Sequence, residues 1–260
     1  MEVLKNRLQI ENARTALASR NLSFLEPAWR ASLKRLRLLG GVSVGDWLNS
    51  WDVLLTVKFI ESRLEQSDPI LDIGCFASEL IVILHNLGYA RLAVADLNPD
   101  IRLMPYQESI DYQRVDFMQT NFGVASFQAI TAISVIEHGF QAARLLREVS
   151  RLLRPGGHFV ASFDYCPGKI DTSGIRLFGV SWQIFSEAEV AQFVSDAKEF
   201  GLEARIDDIE EMRVALQRYA GTRRGDDPAL DCADWQASPN PMKPSIRPSF
   251  EDESSSTRYE

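Results

Sequence analysis

The fold is decided by residues 69–84, which read PILDIGCFASELIVIL. The stretch begins with a short apolar run, continues through a turn that Gly74 opens, and ends in an amphipathic pattern that starts near Ser78. A buried strand that runs directly into a turn and a helix is typical of the first unit of a parallel α/β sheet. Such sheets bind their ligands at the carboxyl ends of the strands. The sequence therefore predicts an α/β protein with a ligand site between Asp72 and Glu79.

The residues of this turn indicate which ligand it binds. A dinucleotide site needs three glycines, because a pyrophosphate must approach bare backbone at the helix N-terminus. The corresponding positions hold Gly74, Phe76 and Glu79. The carboxylates of Asp72 and Glu79 suit a ligand with an ammonium or sulfonium group instead. S-adenosylmethionine carries both groups, and we predict that it binds here, with Cys75 included in the site.

Composition limits the classes of partner. The 260 residues include 28 basic and 36 acidic side chains, which gives a net charge of −8. This balance argues against bulk nucleic acid as a ligand. No apolar run is long enough for a membrane span, and residues 1–10 carry charges where a signal peptide would be apolar. We expect a cytoplasmic protein, and no metal site, because the three histidines lack the spacing of metal ligands.

The chain divides into three segments. Residues 1–50 are predicted to form a helical extension broken at Pro27, residues 51–220 the cofactor domain, and residues 221–260 a disordered tail rich in proline and serine. The helices of the extension could present a solvated face, a lid over the site, a surface for an anionic substrate or a homodimer surface.

Two further acids follow predicted strands. Asp96 ends the strand at 92–96, where its carboxylate can accept both hydroxyl protons of an adenosine ribose or act as a helix N-cap. Asp116 and Phe117 follow the strand at 112–115, where they can bond the adenine amino group and cover its ring.

The acceptor side of the site is predicted at the ends of the fourth and fifth strands. The fourth strand, 127–136, leads into Glu137 and His138. His138 could act as a general base or as a structural hydrogen-bonding residue, and Glu137 as a helix cap or a substrate contact. Asp164 and Tyr165, which follow the fifth strand at 158–163, are the second choices for the base.

Elements after this point are less regular. Ser186 to Glu189 form a capping box that predicts a helix ending near Phe200. Residues 202–209 could form a sixth strand, and the pattern beyond them predicts no clear final strand.

Four motifs in this order resemble the class I S-adenosylmethionine-dependent methyltransferases, especially the type 11 group. They are LDIGC at Leu71, AVADLNPD at Ala93, AITAISVIEHG at Ala129 and LLREVSRLLRPGGHFVASFDY at Leu145. The resemblance covers residues 51–209. It implies a Rossmann-like, mostly parallel sheet with helices on both faces and the cofactor over the ends of the first two strands.

The resemblance also implies individual roles. Asp72 and Gly74 would line the methionine end of the cofactor. The remaining contacts would be Asp96 with Leu97 at the ribose, Asp116 with Phe117 at the adenine, and Ile136 near the methionine portion. Family members commonly carry glycine where this chain has Phe76 and Ser78.

The resulting hypothesis is an enzyme that methylates an oxygen, or less readily a nitrogen, of a small molecule or sugar derivative. The alternative is a protein of the same fold that binds S-adenosylmethionine or S-adenosylhomocysteine without catalysis, as a regulatory or scaffold subunit. A nicotinamide dehydrogenase is a distant third, because the glycine pattern does not fit.

Overall fold

A five-stranded parallel sheet forms the centre of the computed structural model, which describes residues 4–36 and 38–204. The strands lie in the order β3-β2-β1-β4-β5. In chain order they are β1 (Pro69–Ile73), β2 (Arg91–Asp96), β3 (Ile110–Arg114), β4 (Phe127–Ile133) and β5 (Leu153–Ser162). The short apolar runs of the sequence become these strands because both faces of the sheet are covered by helices.

Six α-helices and one 3₁₀ helix accompany the sheet within the described residues. They are α1 (Arg7–Ser19), α2 (Ala28–Arg35), α3 (Ser50–Arg63), α4 (Leu80–Asn86), the 3₁₀ helix Pro99–Leu103, α5 (Ala142–Leu152) and α6 (Glu187–Glu199). None of the described helices is both long enough and apolar enough to cross a bilayer.

Two apolar clusters lie on opposite faces of the sheet. Leu92 and Val94 of β2 pack into the cluster that holds the buried residues of α1, α3 and α4. The alternate residues Ala93 and Ala95 pack into the cluster of α5 and α6. Because successive side chains of a strand point to opposite faces, this division confirms the predicted Rossmann-like sheet with helices on both sides.

The predicted N-terminal helical extension is present and packs on the domain. Ala13 and Leu17 of α1 are buried in the same cluster as Val57 and Ile60 of α3. Asn6 caps α1 through a capping box with Gln9. The other boundaries of the predicted three segments stay predictions.

Several predicted boundaries differ from the structure, among them those of β3, which spans Ile110–Arg114 rather than 112–115. β4 ends at Ile133 rather than at residue 136, because Ser134 turns to φ 51 and donates its N–H to the Ser162 carbonyl at 3.1 Å. α4 begins at Leu80, two residues after the predicted start. β5 begins at Leu153 rather than 158, through a register shift against β4.

A small hairpin in the loop after β5 was not predicted. It pairs β6 (Arg176–Leu177) with β7 (Val180–Ser181) around Gly179, which has φ 80. The capping box at Ser186 is confirmed at the start of α6. Most of the predicted strand at 202–209 and all of the predicted tail lie outside the described residues.

Candidate functional site

The strand order determines where a ligand can bind at the edge of the sheet. β1 pairs with β2 on one side and with β4 on the other, so the strand order reverses beside β1. A crevice opens outside the carboxyl ends of the strands at such a reversal. The loops after β1 and after β4 therefore flank the candidate site.

Gly74 allows these two loops to touch. It has φ 64, and a Cβ atom at this position would lie 2.4 Å from Cγ1 of Val135. No side chain fits at that distance, and a left-handed backbone costs least for glycine. The next left-handed residue of the turn is Ala77, with φ 65. The glycines that the family commonly carries at 76 and 78 are thus replaced by a turn with a different strained position.

Asp96 holds the turn against the end of β2. Its Oδ2 accepts the N–H of Phe76 at 2.9 Å, and its Oδ1 accepts the N–H of Asn98 at 2.7 Å. The alternative interpretation of Asp96 as a helix N-cap is wrong, because Asn98 caps the 3₁₀ helix by accepting the N–H of Asp100 at 2.9 Å. The Asp96 carboxylate retains lone pairs that can face a ligand. Leu97 beside it exposes 59% of its surface.

Asp72 and Cys75 lie deeper than the rest of the turn. Asp72 is fully buried, and its Oδ1 accepts the hydroxyl of Thr131 at 2.6 Å. Burial, with a contribution from the charge of Asp96, raises the pKa of Asp72 to about 7. Its Oδ2 has no hydrogen-bond partner. Cys75 is also buried, and burial together with the nearby carboxylates raises the pKa of its thiol.

Glu79 is already paired within the protein. Only 1% of it is exposed, and its two oxygens accept Nη2 and Nη1 of Arg14 at 2.5 Å and 3.0 Å. Its Oε2 also accepts the N–H of Phe24 at 3.1 Å. The negative charge predicted to face the cofactor is therefore neutralised by the N-terminal extension.

Sequence reasoning missed Arg14. The available signal was a lone arginine at helical spacing among the apolar residues Ile10, Ala13 and Leu17 of α1, all three of which are buried. A charge on an apolar helix face needs a partner elsewhere in the fold. Its partner is 65 positions away in the chain, so spacing alone could not identify it.

The predicted adenine residues lie after β3. The Oδ2 of Asp116 forms an ion pair with Nη2 of Arg144 at 2.9 Å, and its Oδ1 accepts the N–H of Met118 at 2.9 Å. Phe117 is half-buried, and Ile136 is 2% exposed in the loop after β4. Asp116 therefore has one cationic neighbour before any ligand binds.

Three carboxylates gather on the acceptor side. Glu137 lies in the loop after β4, Asp164 after β5, and Asp52 in the first turn of α3. Burial, with the charges of Asp164 and Asp52, raises the pKa of Glu137 to about 8. Burial, with the charge of Asp164, raises the pKa of Asp52 to about 6, despite a hydrogen bond from Ser162.

His138 follows Glu137 in the chain. Its ring contacts Phe178 of the hairpin edge to face at 5.3 Å, and its backbone pairs with Trp182. Nδ1 has no hydrogen-bond partner, and partial burial lowers the pKa of the imidazole. The ring is therefore neutral near pH 7 and can accept a proton.

Asp164 and Tyr165 are adjacent in the chain but differ in surroundings. Asp164 is exposed, and its Oδ2 accepts Nε1 of Trp182 at 3.1 Å. Burial, with the charge of Glu187, raises the pKa of Tyr165 to about 12. The charge of Asp164 acts on Glu137. The acid whose charge acts on Tyr165 is Glu187, at the start of α6. Within residues 4–36 and 38–204, no three acids, histidines or cysteines are placed to hold a metal ion.

Comparison with known proteins identifies the central segment. Residues 71–161 match the family described as "Methyltransferase domain". The chain is 31% identical over 134 residues to the "eEF1A lysine and N-terminal methyltransferase" of Danio rerio, covering 46% of this chain and 19% of the relative. It is 25% identical over 155 residues to the "Cycloartenol-C-24-methyltransferase" of Arabidopsis thaliana, covering 55% and 44%.

A third relative is the "Ubiquinone biosynthesis O-methyltransferase" of Xanthomonas oryzae pv. oryzae. The identity is 30% over 115 residues, which cover 41% of this chain and 47% of the relative. The chain spans less than half the length of each of the three relatives. The matched segment contains most of β1, all of β2 to β4, α5 and most of β5, so the predicted resemblance is confirmed for this segment.

Proposed function

Because residues 71–161 are a methyltransferase domain of the class that uses S-adenosylmethionine, we propose that the whole chain is an S-adenosylmethionine-dependent methyltransferase. The proposed acceptor is an oxygen, or less readily a nitrogen, of a small molecule or sugar derivative. The observation that carries the proposal is the position of Asp96, which closes the Gly74 turn at the reversal of the sheet.

The residues around the crevice fit the predicted cofactor. Asp96 would accept the ribose hydroxyls, and the exposed side chain of Leu97 would cover apolar surface next to them. Asp116 and Phe117 would contact the adenine, while the backbone at Gly74 and the side chain of Ile136 would line the methionine portion. The contribution of Asp72 and Cys75 would be indirect, because both are buried beneath the turn.

Methyl transfer requires mainly that the protein positions the cofactor and the acceptor. The sulfonium group of the cofactor supplies an electrophilic methyl group, and the acceptor must lie in line with it. An acceptor hydroxyl must also lose a proton, for which His138 is the best-placed base, since its ring is neutral and Nδ1 is unpartnered. Asp164 is the second choice. Tyr165, with a pKa of about 12, is the weakest.

The identity of the acceptor atom rests on the site rather than on the relatives. The relatives are named for lysine and N-terminal, C-24 and oxygen methylation, so their names do not select one atom. A histidine base supports an oxygen acceptor, because a hydroxyl is a weak nucleophile until its proton is taken. A homodimer and a cytoplasmic location stay predictions.

The competing function is cofactor binding without catalysis. The pairing of Glu79 with Arg14 favours it, because the pairing reduces the negative charge open to a cofactor. Phe76 also favours it, because a side chain stands where the family commonly carries glycine. Incubation with methyl-labelled S-adenosylmethionine and a small-molecule extract separates the two functions. Label transferred by the protein, and lost with His138→Ala, would support the enzyme. Cofactor binding without any transfer would support the scaffold.

A further inference from the structure

Asp52, Glu137 and Asp164 form what we name the acidic pocket. Its three carboxylates come from different elements and differ in depth: Asp164 is exposed, Asp52 is half-buried and Glu137 is 1% exposed. Two of them contact adjacent residues of one segment, because the Glu137 carbonyl accepts the N–H of Gln183 and Oδ2 of Asp164 accepts Nε1 of Trp182, both at 3.1 Å. The set therefore runs from the solvent to a buried floor on the acceptor side of the sheet.

An unpartnered atom lies at the buried end of the acidic pocket. The Oε2 atom of Glu137 is buried and has no hydrogen-bond partner, and Glu137 as a whole is 1% exposed. Buried polar groups in folded proteins nearly always have a partner, so one that lacks it calls for an explanation, such as a bound ligand. Oε2 of Glu137 could receive a hydrogen bond from a bound molecule.

The protein supplies no counter-charge here. The ion pairs within the described part of the chain include Glu79 with Arg14 and Asp116 with Arg144, but none involves a member of the acidic pocket. Without a cation nearby, Glu137 keeps a proton up to a pH of about 8, and a bound cation would favour the release of that proton. A metal ion does not fit, because no three candidate ligands within those residues are suitably placed.

We infer that the methyl acceptor carries a protonated amine, which binds in the acidic pocket between Glu137 and Asp164. The inference rests on the proposed function, because it concerns the acceptor of that reaction. The ammonium group of the cofactor is the competing occupant. Ile136, which is proposed to line the methionine portion, directly precedes Glu137, so the variants below are needed to separate this occupant from the acceptor. A neutral hydroxyl could bond Oε2 but would leave the charges uncompensated.

Binding of simple amines tests the inference directly. The protein, saturated with S-adenosylhomocysteine, is titrated calorimetrically with tyramine and glucosamine and with their N-acetyl derivatives, which lack the charge. We expect at least one amine to bind about tenfold or more tightly than its acetylated match. Equal affinities within both pairs, or no binding by any of the four compounds, would overturn the inference.

Three variants locate the binding site. Glu137→Gln and Asp164→Asn should remove the preference for the amine, and Glu199→Gln, an exposed acid at the end of α6, should keep it. Affinity for S-adenosylmethionine and S-adenosylhomocysteine should not change in any of them. A parallel loss of cofactor affinity in the two pocket variants would assign the acidic pocket to the cofactor and overturn the inference.

A transfer assay separates this inference from the proposed function. Extract is treated with an amine-selective acetylating reagent before incubation with protein and labelled cofactor. Transfer to untreated but not to acetylated extract is expected. Equal transfer to both extracts would contradict the inference that the acceptor carries an amine, but it would still support the proposed methyltransferase activity. Amine binding without transfer to either extract would instead contradict the proposed enzyme.

Discussion

Arg14 and Glu79 form a two-point ion pair between the N-terminal extension and the turn that follows β1. The Nη2 to Oε1 distance is 2.5 Å and the Nη1 to Oε2 distance is 3.0 Å. The same guanidinium donates to Ser50 and Ser23 at 2.9 Å and 3.2 Å. One arginine thus connects α1, the following loop, the start of α3 and the turn beside the cofactor site.

The first prediction concerns this ion pair. Arg14→Met would leave Glu79 buried without a counter-charge, and breaking a buried pair in this way costs about 3 kcal/mol or more. We expect a loss of that size in the free energy of unfolding, measured by urea titration. Cofactor affinity should fall as well, because the turn loses its anchor.

Two further variants test this explanation. Arg14→Met combined with Glu79→Gln should recover much of the lost stability, since no charge remains unpaired. Arg20→Met breaks the ion pair between Arg20 and Glu61, whose side chains are 37% and 34% exposed, respectively. This variant should lower the free energy of unfolding by less than about 1 kcal/mol. A cost for Arg14→Met as small as that for Arg20→Met would contradict the anchor role.

The sequence predicts local features well and distant contacts poorly. The strand ending at Asp96 and the capping box of Ser186 depend on neighbouring residues, and the structure confirms both. The pairing of Arg14 with Glu79 depends on how α1 packs, which periodicity does not specify. The early end of β4 has the same origin, because it follows from a hydrogen bond between Ser134 and Ser162 on another strand.

Burial explains the rest of the difference within the site. Asp72 and Glu79 both read as carboxylates open to a sulfonium ligand, yet Asp72 is fully buried and Glu79 is 1% exposed. The sequence cannot separate a carboxylate that faces a ligand from one that faces the protein. Conversely, Asp52 gave no signal, because an acid in the first turn of a helix is ordinary.

The second prediction concerns the proposed base. His138→Ala should lower the initial rate of methyl transfer by about 10²-fold or more while cofactor affinity stays the same. Because burial lowers the pKa of His138 below its ordinary value of about 6.5, the wild-type rate should be level above that pH and fall on acidification. Rates are measured with labelled cofactor at saturation.

His85→Ala is the matched control for this variant. His85 packs against Tyr106 at a ring distance of 4.2 Å, on α4 and away from the acceptor side. It should leave the rate unchanged. If His138→Ala also transfers methyl groups at the wild-type rate, His138 is not the base.

The third prediction concerns the pH dependence of stability. The pKa of Glu137 is about 8 in the folded protein and about 4.3 in an unfolded chain, so the folded state holds its proton more tightly. Stability should therefore decrease as the pH rises through this interval. Glu137→Gln imitates the protonated form. It should unfold near the wild-type temperature at about pH 5 and several degrees higher at about pH 9.

The charges of the neighbouring acids Asp52 and Asp164 also raise the pKa of Glu137. Glu199→Gln removes an exposed acid and should shift the unfolding temperature little at either pH. Parallel wild-type and Glu137→Gln unfolding curves across the whole pH range would show that Glu137 is not buried beside these charges.

The most direct test of the cofactor site is calorimetric titration of wild-type protein and Asp96→Ala with S-adenosylmethionine, S-adenosylhomocysteine and NAD. Asp111→Ala, an exposed acid on β3, is the control for a lost charge. We predict micromolar binding of the first two ligands, no binding of NAD, and a loss of about a hundredfold in Asp96→Ala only, because two charge-assisted hydrogen bonds disappear. Wild-type protein that binds neither S-adenosyl compound, or Asp96→Ala that binds them as tightly as wild type, would contradict the account.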